Sequence, residues 1–236
     1  MLLPAVSEGQ AHAEQLTCIR NLKHIGLAFR VFAKDHGDKY PYNVPGLRLY
    51  DPNAEMEGQG GNPLLYKNGD TETWRNFQTL SNELKSSKIL LCPADRRRET
   101  NEANDFLQTR DSLSGSVKRN LAVSYFIGLE ASEVKAQSIL AGDRNIAGPT
   151  AIGPCVDQSE PALPGGVYLF GPNDSRGARR RFSDHPNNPL HESTGHILLG
   201  DGSVTEAYPA GLEHQLSLSL RTYGTNAWLF AFPNDP

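Results

Sequence analysis

Three histidines and an aspartate gather late in the chain: His185, then His191, His196 and Asp201. Imidazoles and carboxylates are the side chains that ligate borderline metal ions and move protons near neutral pH. Three or four of them converging on one point would hold a divalent cation and support metal-assisted hydrolysis. His191 and His196 stand five residues apart in a stretch that reads as a loop entering a strand, so their spacing does not force convergence. A structural or surface role is the preferred reading, and the four remain weak metal candidates. Asp201-Gly202 already has a local explanation as the turn of a β-hairpin.

Other carboxylates invite the same comparison. Asp143, in Ala141-Gly142-Asp143-Arg144-Asn145, follows a strand, where catalytic carboxylates often sit. Aspartate also favours turns after strands through side-chain to backbone bonds, and that reading is preferred. Glu130 and Glu133 have the right types for an acid–base pair, yet solvated or helix-capping carboxylates are the simpler account. The chain contains neither a G-x-S-x-G elbow nor a phosphate-binding G-x-x-x-x-G-K-[ST] loop. No catalytic residue is assigned.

The elements that must position these residues follow from composition and periodicity. The chain has 236 residues with 22 glycines and 16 prolines, enough for one domain over 1–236 with many turns. A net charge of −4 gives no electrostatic reason to expect nucleic acid. The triplets Arg96, Arg97, Arg98 and Arg179, Arg180, Arg181 read as solvated loops. Cys18, Cys92 and Cys155 form no C-x-x-C pair; one disulfide with a free thiol fits an oxidising compartment, three thiols a reducing one. No apolar run approaches the roughly 18 to 20 residues of a membrane span, so the chain as it stands is expected to be soluble.

Residues 8–35 predict a helix with an apolar face at Leu16, Ile19, Leu22, Ile25, Phe29 and Phe32, widened by Leu27 and Val31. Gly37 suits its left-handed C-terminal cap, and His36 the negative end of its dipole. A second helix is expected over 73–85, with Trp74, Phe77, Leu80 and Leu84 on one side. Ile89-Leu90-Leu91 reads as a short buried strand, and 96–115 as a loop. Strands are expected over 122–127 and 138–141, with Val167-Tyr168-Leu169-Phe170 as a strand or loop anchor. Residues 196–204 predict a hairpin with a type I′ turn at Asp201-Gly202. A long helix followed by antiparallel strands is the order of an α+β domain.

Several segments resemble one family. They are Leu2-Leu3-Pro4-Ala5; Cys18-Ile19-Arg20-Asn21-Leu22-Lys23-His24-Ile25-Gly26-Leu27-Ala28; Asp35-His36-Gly37-Asp38-Lys39-Tyr40-Pro41; Cys92-Pro93-Ala94-Asp95; and His191 followed, after nine residues, by Asp201-Gly202. Together they resemble bacterial prepilin-type proteins, the type IV pilin-like and type II secretion pseudopilin-like subunits carrying an H-x9-DG prepilin-processing-associated domain. The resemblance implies a pilin-like α+β fold: a spine helix over 1–36, packed on an antiparallel sheet in a 37–236 head with large irregular loops. It implies prepilin peptidase processing, an inner-membrane anchor and a periplasmic head, with no reaction catalysed. Partners would be other pilin-like subunits through the N-terminal helix, with secreted cargo or polysaccharide as further ones. Disulfides persist in that compartment, so the resemblance also implies a Cys18–Cys92 bridge with Cys155 left over.

The family's leader, its F-T-L-I-E start with the assembly glutamate and most of the apolar span have no counterpart in this chain. Leu2-Leu3-Pro4-Ala5 therefore reads as the cut end of a membrane span, on a chain trimmed for solubility. Two alternatives are weighed beside the assembly subunit. One is a module binding polysaccharide or Ca²⁺, on the strength of the acidic, Gly-rich stretch 51–70 and exposed-looking Tyr and Trp residues. The other is a periplasmic metal-dependent hydrolase using His185, His191, His196 and an aspartate. No cofactor is expected, Ca²⁺ being the ion kept open, and any special function of the head would sit in 40–70 or 145–190.

Overall fold

In the computed structural model the described residues are 3–44, 73–96, 98–107, 111–115, 118–146, 166–170, 190–191, 194–224 and 228–233. The first element is a single helix, α1 (Leu3–Asp35). From Cys18 onward one face is buried: Cys18, Leu22, Ile25, Phe29 and Phe32, with Asn21, Ala28 and Ala33 beside them. Full burial of each large apolar side chain contributes roughly 1.5–3 kcal/mol, which anchors this half. The face is narrower than the periodicity predicts. Leu16, Leu27 and Val31 are 50%, 60% and 44% exposed, because they point away from the sheet. Residues 8–13 are all exposed. The helix ends as expected: Ala33 carbonyl accepts from the amides of His36 and Asp38, and Gly37 sits at φ 65. The His36 ring stacks on Phe32 and its Nδ1 lies 2.8 Å from the Phe32 carbonyl.

The expected second helix is broken in two, α2 (Thr73–Thr79) and α3 (Ser81–Leu84), where Leu80 leaves helical geometry. Trp74, Phe77, Leu80 and Leu84 are nevertheless all buried. The Ile89-Leu90-Leu91 strand is not formed. Residues Ser87–Leu90 make a 3₁₀ turn, and its one bond toward a neighbouring strand is from Ser124 amide to Leu90 carbonyl. Three apolar residues specify burial without specifying strand geometry.

Six strands form one antiparallel sheet: β1 (Tyr125–Gly128), β2 (Ile139–Asp143), β3 (Gly166–Phe170), β4 (Gly195–Leu199), β5 (Val204–Ala207) and β6 (Trp228–Phe232), in the order β3-β6-β1-β2-β4-β5. The molecule is thus α+β, with its long N-terminal helix packed on an antiparallel sheet. Both sheet faces are covered. Tyr125, Ile127, Leu140, Leu198 and Ala231 share a core with α1, α2 and α3. Phe126, Ile197, Leu199, Phe230 and Phe232 face the other way, toward Leu212, Leu216 and Leu220 of a last helix, α4 (Pro209–Tyr223). The sequence reading stopped short of α4 and β6. Trp74 and Trp228, with Tyr40, Tyr42 and Tyr125, are core residues and do not form the exposed aromatic surface expected for a binding module.

The β4–β5 hairpin exists, but its turn is not type I′. Gly202 amide bonds to Leu199 carbonyl and Leu199 amide to Ser203 carbonyl, and of Gly200, Asp201 and Gly202 only Gly202 has a positive φ. That is a three-residue loop, a type I turn completed by a left-handed glycine.

Close backbone approach is most demanding at Gly128, where an added Cβ would collide with the Ile139 carbonyl oxygen of β2. Gly128→Ala should therefore lower stability by about 3 kcal/mol in chemical denaturation, since neither strand can move without disturbing the core. Gly9→Ala, with open space around it on α1, should stabilise by up to about 1 kcal/mol in the same experiment.

Candidate functional site

Three successive residues at the end of β2 each fasten a different part of the chain. Asp143 stands beside His196, because β2 and β4 pair with Gly142 opposite Ile197. Its Oδ2 accepts from the His196 backbone amide at 2.8 Å and from the ring Nδ1 at 3.0 Å. Arg144 grips Asp95 with two bonds of 2.8 Å, from Nε to Oδ2 and from Nη2 to Oδ1. Ser124 Oγ donates to the same Oδ2 at 2.8 Å, and Arg98 Nε lies 3.5 Å from it. Asn145 Nδ2 donates to the carbonyls of Leu190 and Thr194, at 2.9 and 3.1 Å.

That last pair of bonds shapes the segment carrying His191. His191 has φ 49, a left-handed conformation uncommon outside glycine, and its carbonyl accepts from Thr194 amide and hydroxyl. Held this way, its Nε2 lies 3.2 Å from Cys92 Sγ and 3.8 Å from Asp143 Oδ2. Its ring meets the His196 ring edge to face, centroids 4.8 Å apart. Cys92 is bonded to Cys18 of α1, the pair implied by the resemblance. One helical turn on, Asn21 donates to Leu91 carbonyl at 3.0 Å and to Tyr125 hydroxyl at 3.3 Å. Helix, Cys92 strap and sheet are therefore tied at one place.

Cys18, Cys92, Asp143, His191 and His196 are all buried. Burial pushes His191 below its ordinary value, against the opposing pull of Asp143, and His196 pushes it the same way as burial. Burial also raises the Tyr125 phenol well above its usual range, reinforced by Asp143 and Asp95. A cleft of about 360 Å³ opens beside the strap, lined among others by Thr17, Lys88, Cys92, Arg96, Glu99 and Glu102.

The predicted candidates separate. His191 and His196 come together, but their companions are Asp143 and Cys92. Asp201 is exposed in the hairpin turn, where its Oδ1 accepts from the amide and hydroxyl of Ser203. Gly202 faces α1: its Cβ position lies 3.3 Å from Arg30 Nη1, and Arg30 points this nitrogen at the Asp201 carbonyl at 3.5 Å. His185 and Cys155 lie outside the described residues, as do Arg179, Arg180, Arg181, all of 51–70 and most of 145–190. Asp143 is a core acceptor and no solvated turn residue. Glu130 accepts from the Leu229 amide of β6 at 3.1 Å, and Glu133 pairs with Arg30 at 2.9 Å. The first arginine triplet departs from a solvated loop at Arg98, while Arg96 is exposed and Arg97 lies outside the described residues. Arg98 is fully buried and donates to Asn120 carbonyl, while Arg96 pairs with Glu14 across to α1. Asp95 and Asn21 were legible only as parts of family-like segments, with no independent sign of burial. No family model, curated protein or solved structure matches the chain.

Two outcomes follow from this geometry. Asp95→Ala removes the carboxylate that neutralises a buried guanidinium, so it should cost about 3–5 kcal/mol in urea unfolding. The second concerns pH in the disulfide-bonded protein. His191 titrates below 6.5 when folded and near 6.5 when unfolded, so below that value the unfolded chain binds the extra proton. Stability is complete above about pH 6.5 and falls as the pH drops through it. His191→Gln should flatten that part of the curve, with Asp143, His196, Glu14 and Glu206 unchanged around it.

Proposed function

We propose that this chain is the head of a pilin-like, pseudopilin-like subunit that assembles with like subunits through its N-terminal helix and catalyses no reaction. The observation that carries the reading is the division of α1. From Cys18 onward one face is buried in the head and covalently fixed to it, whereas residues 8–13 and Leu16 lie exposed on the same unbroken helix. A short exposed helical stretch is marginal in water, so a helical half with no apolar face buried in the head is best explained by a partner that covers it. The segments resembling prepilin-type proteins give that partner its class: other helices of the same kind. On this reading the head lies in the periplasm, held by an inner-membrane anchor, where the Cys18–Cys92 bond is stable.

The histidine cluster fits the same reading. His191, His196 and Asp143 are enclosed by core residues and engaged with one another, an arrangement suited to tying segments.

The test is thiol cross-linking in the natural host. Cysteines placed at Gln10 or Leu16 should give ladders of cross-linked oligomers in the membrane fraction with a short bismaleimide. A cysteine at Val134, on the exposed surface of the head, should give far fewer. Recovery of only monomeric adducts at Gln10 and Leu16, or of the protein only from the soluble fraction, would overturn the reading.

A further inference from the structure

The tie between α1 and the sheet has the donor set of a metal site as well as a disulfide. One ligand atom from each of Cys18, Cys92, Asp143 and His191 lies within 4.8 Å of the others, and all four residues are buried. A tetrahedral zinc site with bonds of about 2.0–2.3 Å has ligand-to-ligand edges of about 3.3–3.8 Å. His191 Nε2 is already 3.2 Å from Cys92 Sγ, and the Asp143 carboxylate stands beside it, its hydrogen-bonded Oδ2 at 3.8 Å. The two sulfurs, joined in the disulfide, are too close, and breaking their bond lets them separate.

Two further observations point to a ligand. Asp143 Oδ1 is buried with no hydrogen-bond partner, an expensive state for a carboxylate oxygen. The other oxygen is held by the backbone amide and ring of His196, as outer-shell groups hold a metal-bound carboxylate. Two thiolates, one imidazole and one carboxylate suit Zn²⁺ rather than a hard cation such as Ca²⁺. Their charges leave the occupied site at −1, as in a three-cysteine, one-histidine zinc centre.

We propose that the dithiol form of this protein binds one Zn²⁺ between Cys18, Cys92, His191 and Asp143, so that metal and disulfide are alternative ties for the same seam. This does not rest on the pilin-like reading. Binding forms two Zn–S bonds and releases the two thiol protons. Oxidation by a disulfide-bearing oxidant takes two electrons from the thiolates, forms the Cys18–Cys92 bond, leaves the oxidant as two thiols and frees the cation. His196 is a positioning residue here, acting through Asp143.

Cobalt titration tests the proposal in a Cys155→Ser background, which removes the third thiol. Protein reduced with a phosphine and freed of it under anaerobic conditions should bind one equivalent of Co²⁺, with the intense visible bands of tetrahedral cobalt thiolate. Zn²⁺ should displace it, and the oxidised protein should show no such bands. His191→Gln and Asp143→Asn should each weaken binding at least about 100-fold, and His196→Gln about 10- to 100-fold with the bands retained. A second readout guards against variants that fail to fold: Zn²⁺ should raise the melting temperature of the reduced parent but not of the oxidised one. Absence of cobalt bands at one equivalent, or equal affinity in His191→Gln and Asp143→Asn, would overturn the four-ligand site. An equal melting shift in both redox states would overturn it too.

Discussion

Asp95 and Arg144 meet almost out of reach of water, and the order of the molecule turns on what that requires. Moving either charge into the interior costs several kcal/mol, and attraction offsets this only when the remaining lone pairs and protons are also engaged. Here they are: two bonds from Arg144, one from Ser124 and the approach of Arg98 surround a single carboxylate. Each partner belongs to a different segment, so the pair is satisfied only when the strap, β1 and the end of β2 stand in one arrangement. Cys92, three residues before Asp95, carries that arrangement to α1 through its disulfide. Asp143, one residue before Arg144, carries it to β4. A nonspecific apolar seam would tolerate α1 sliding along the sheet; this one does not, and Gly26 shows how close the approach is, its Cβ position lying 2.8 Å from Leu198.

What the sequence made legible is local. Helix α1 announces itself by spacing, its end by Gly37, and the hairpin by an apolar run, a turn and a second run. Where the reading went astray, a residue's environment depended on distant chain. Leu27 and Val31 fit the helical face by period, yet they lie on the side of α1 turned away from the sheet and stay exposed. Arg98 belongs to a charged triplet, a pattern that ordinarily means solvent; the carboxylate that draws it inward is only three residues away, but the burial comes from elements further along. The same reason hid the site. Asp143 and His196 are 53 residues apart and meet only through sheet register, while Cys92 and His191 are 99 apart. Of the predicted set, His191 and His196 come together, and Asp143 and Cys92, which join them, were not read as their partners.

The H-x9-DG spacing has a physical account in this fold. His191 and Asp201-Gly202 do not meet; they bracket β4 at its two ends. His191 closes the loop that Asn145 pins, and Gly202 supplies the positive φ that turns the chain into β5. Between them lie Ile197 and Leu199 on the α4 side and Leu198 on the α1 side. A strand alternates faces with period two, so one residue more or fewer between the histidine and the turn would reverse that allocation. It would also carry His196 off Asp143 and move the turn from Arg30 of α1. The nine-residue distance between His191 and Asp201 in this chain is thus set by one strand crossing the molecule, anchored at one end to the buried cluster and at the other to the helix. In this chain the spacing is the length of β4 and its two fastenings.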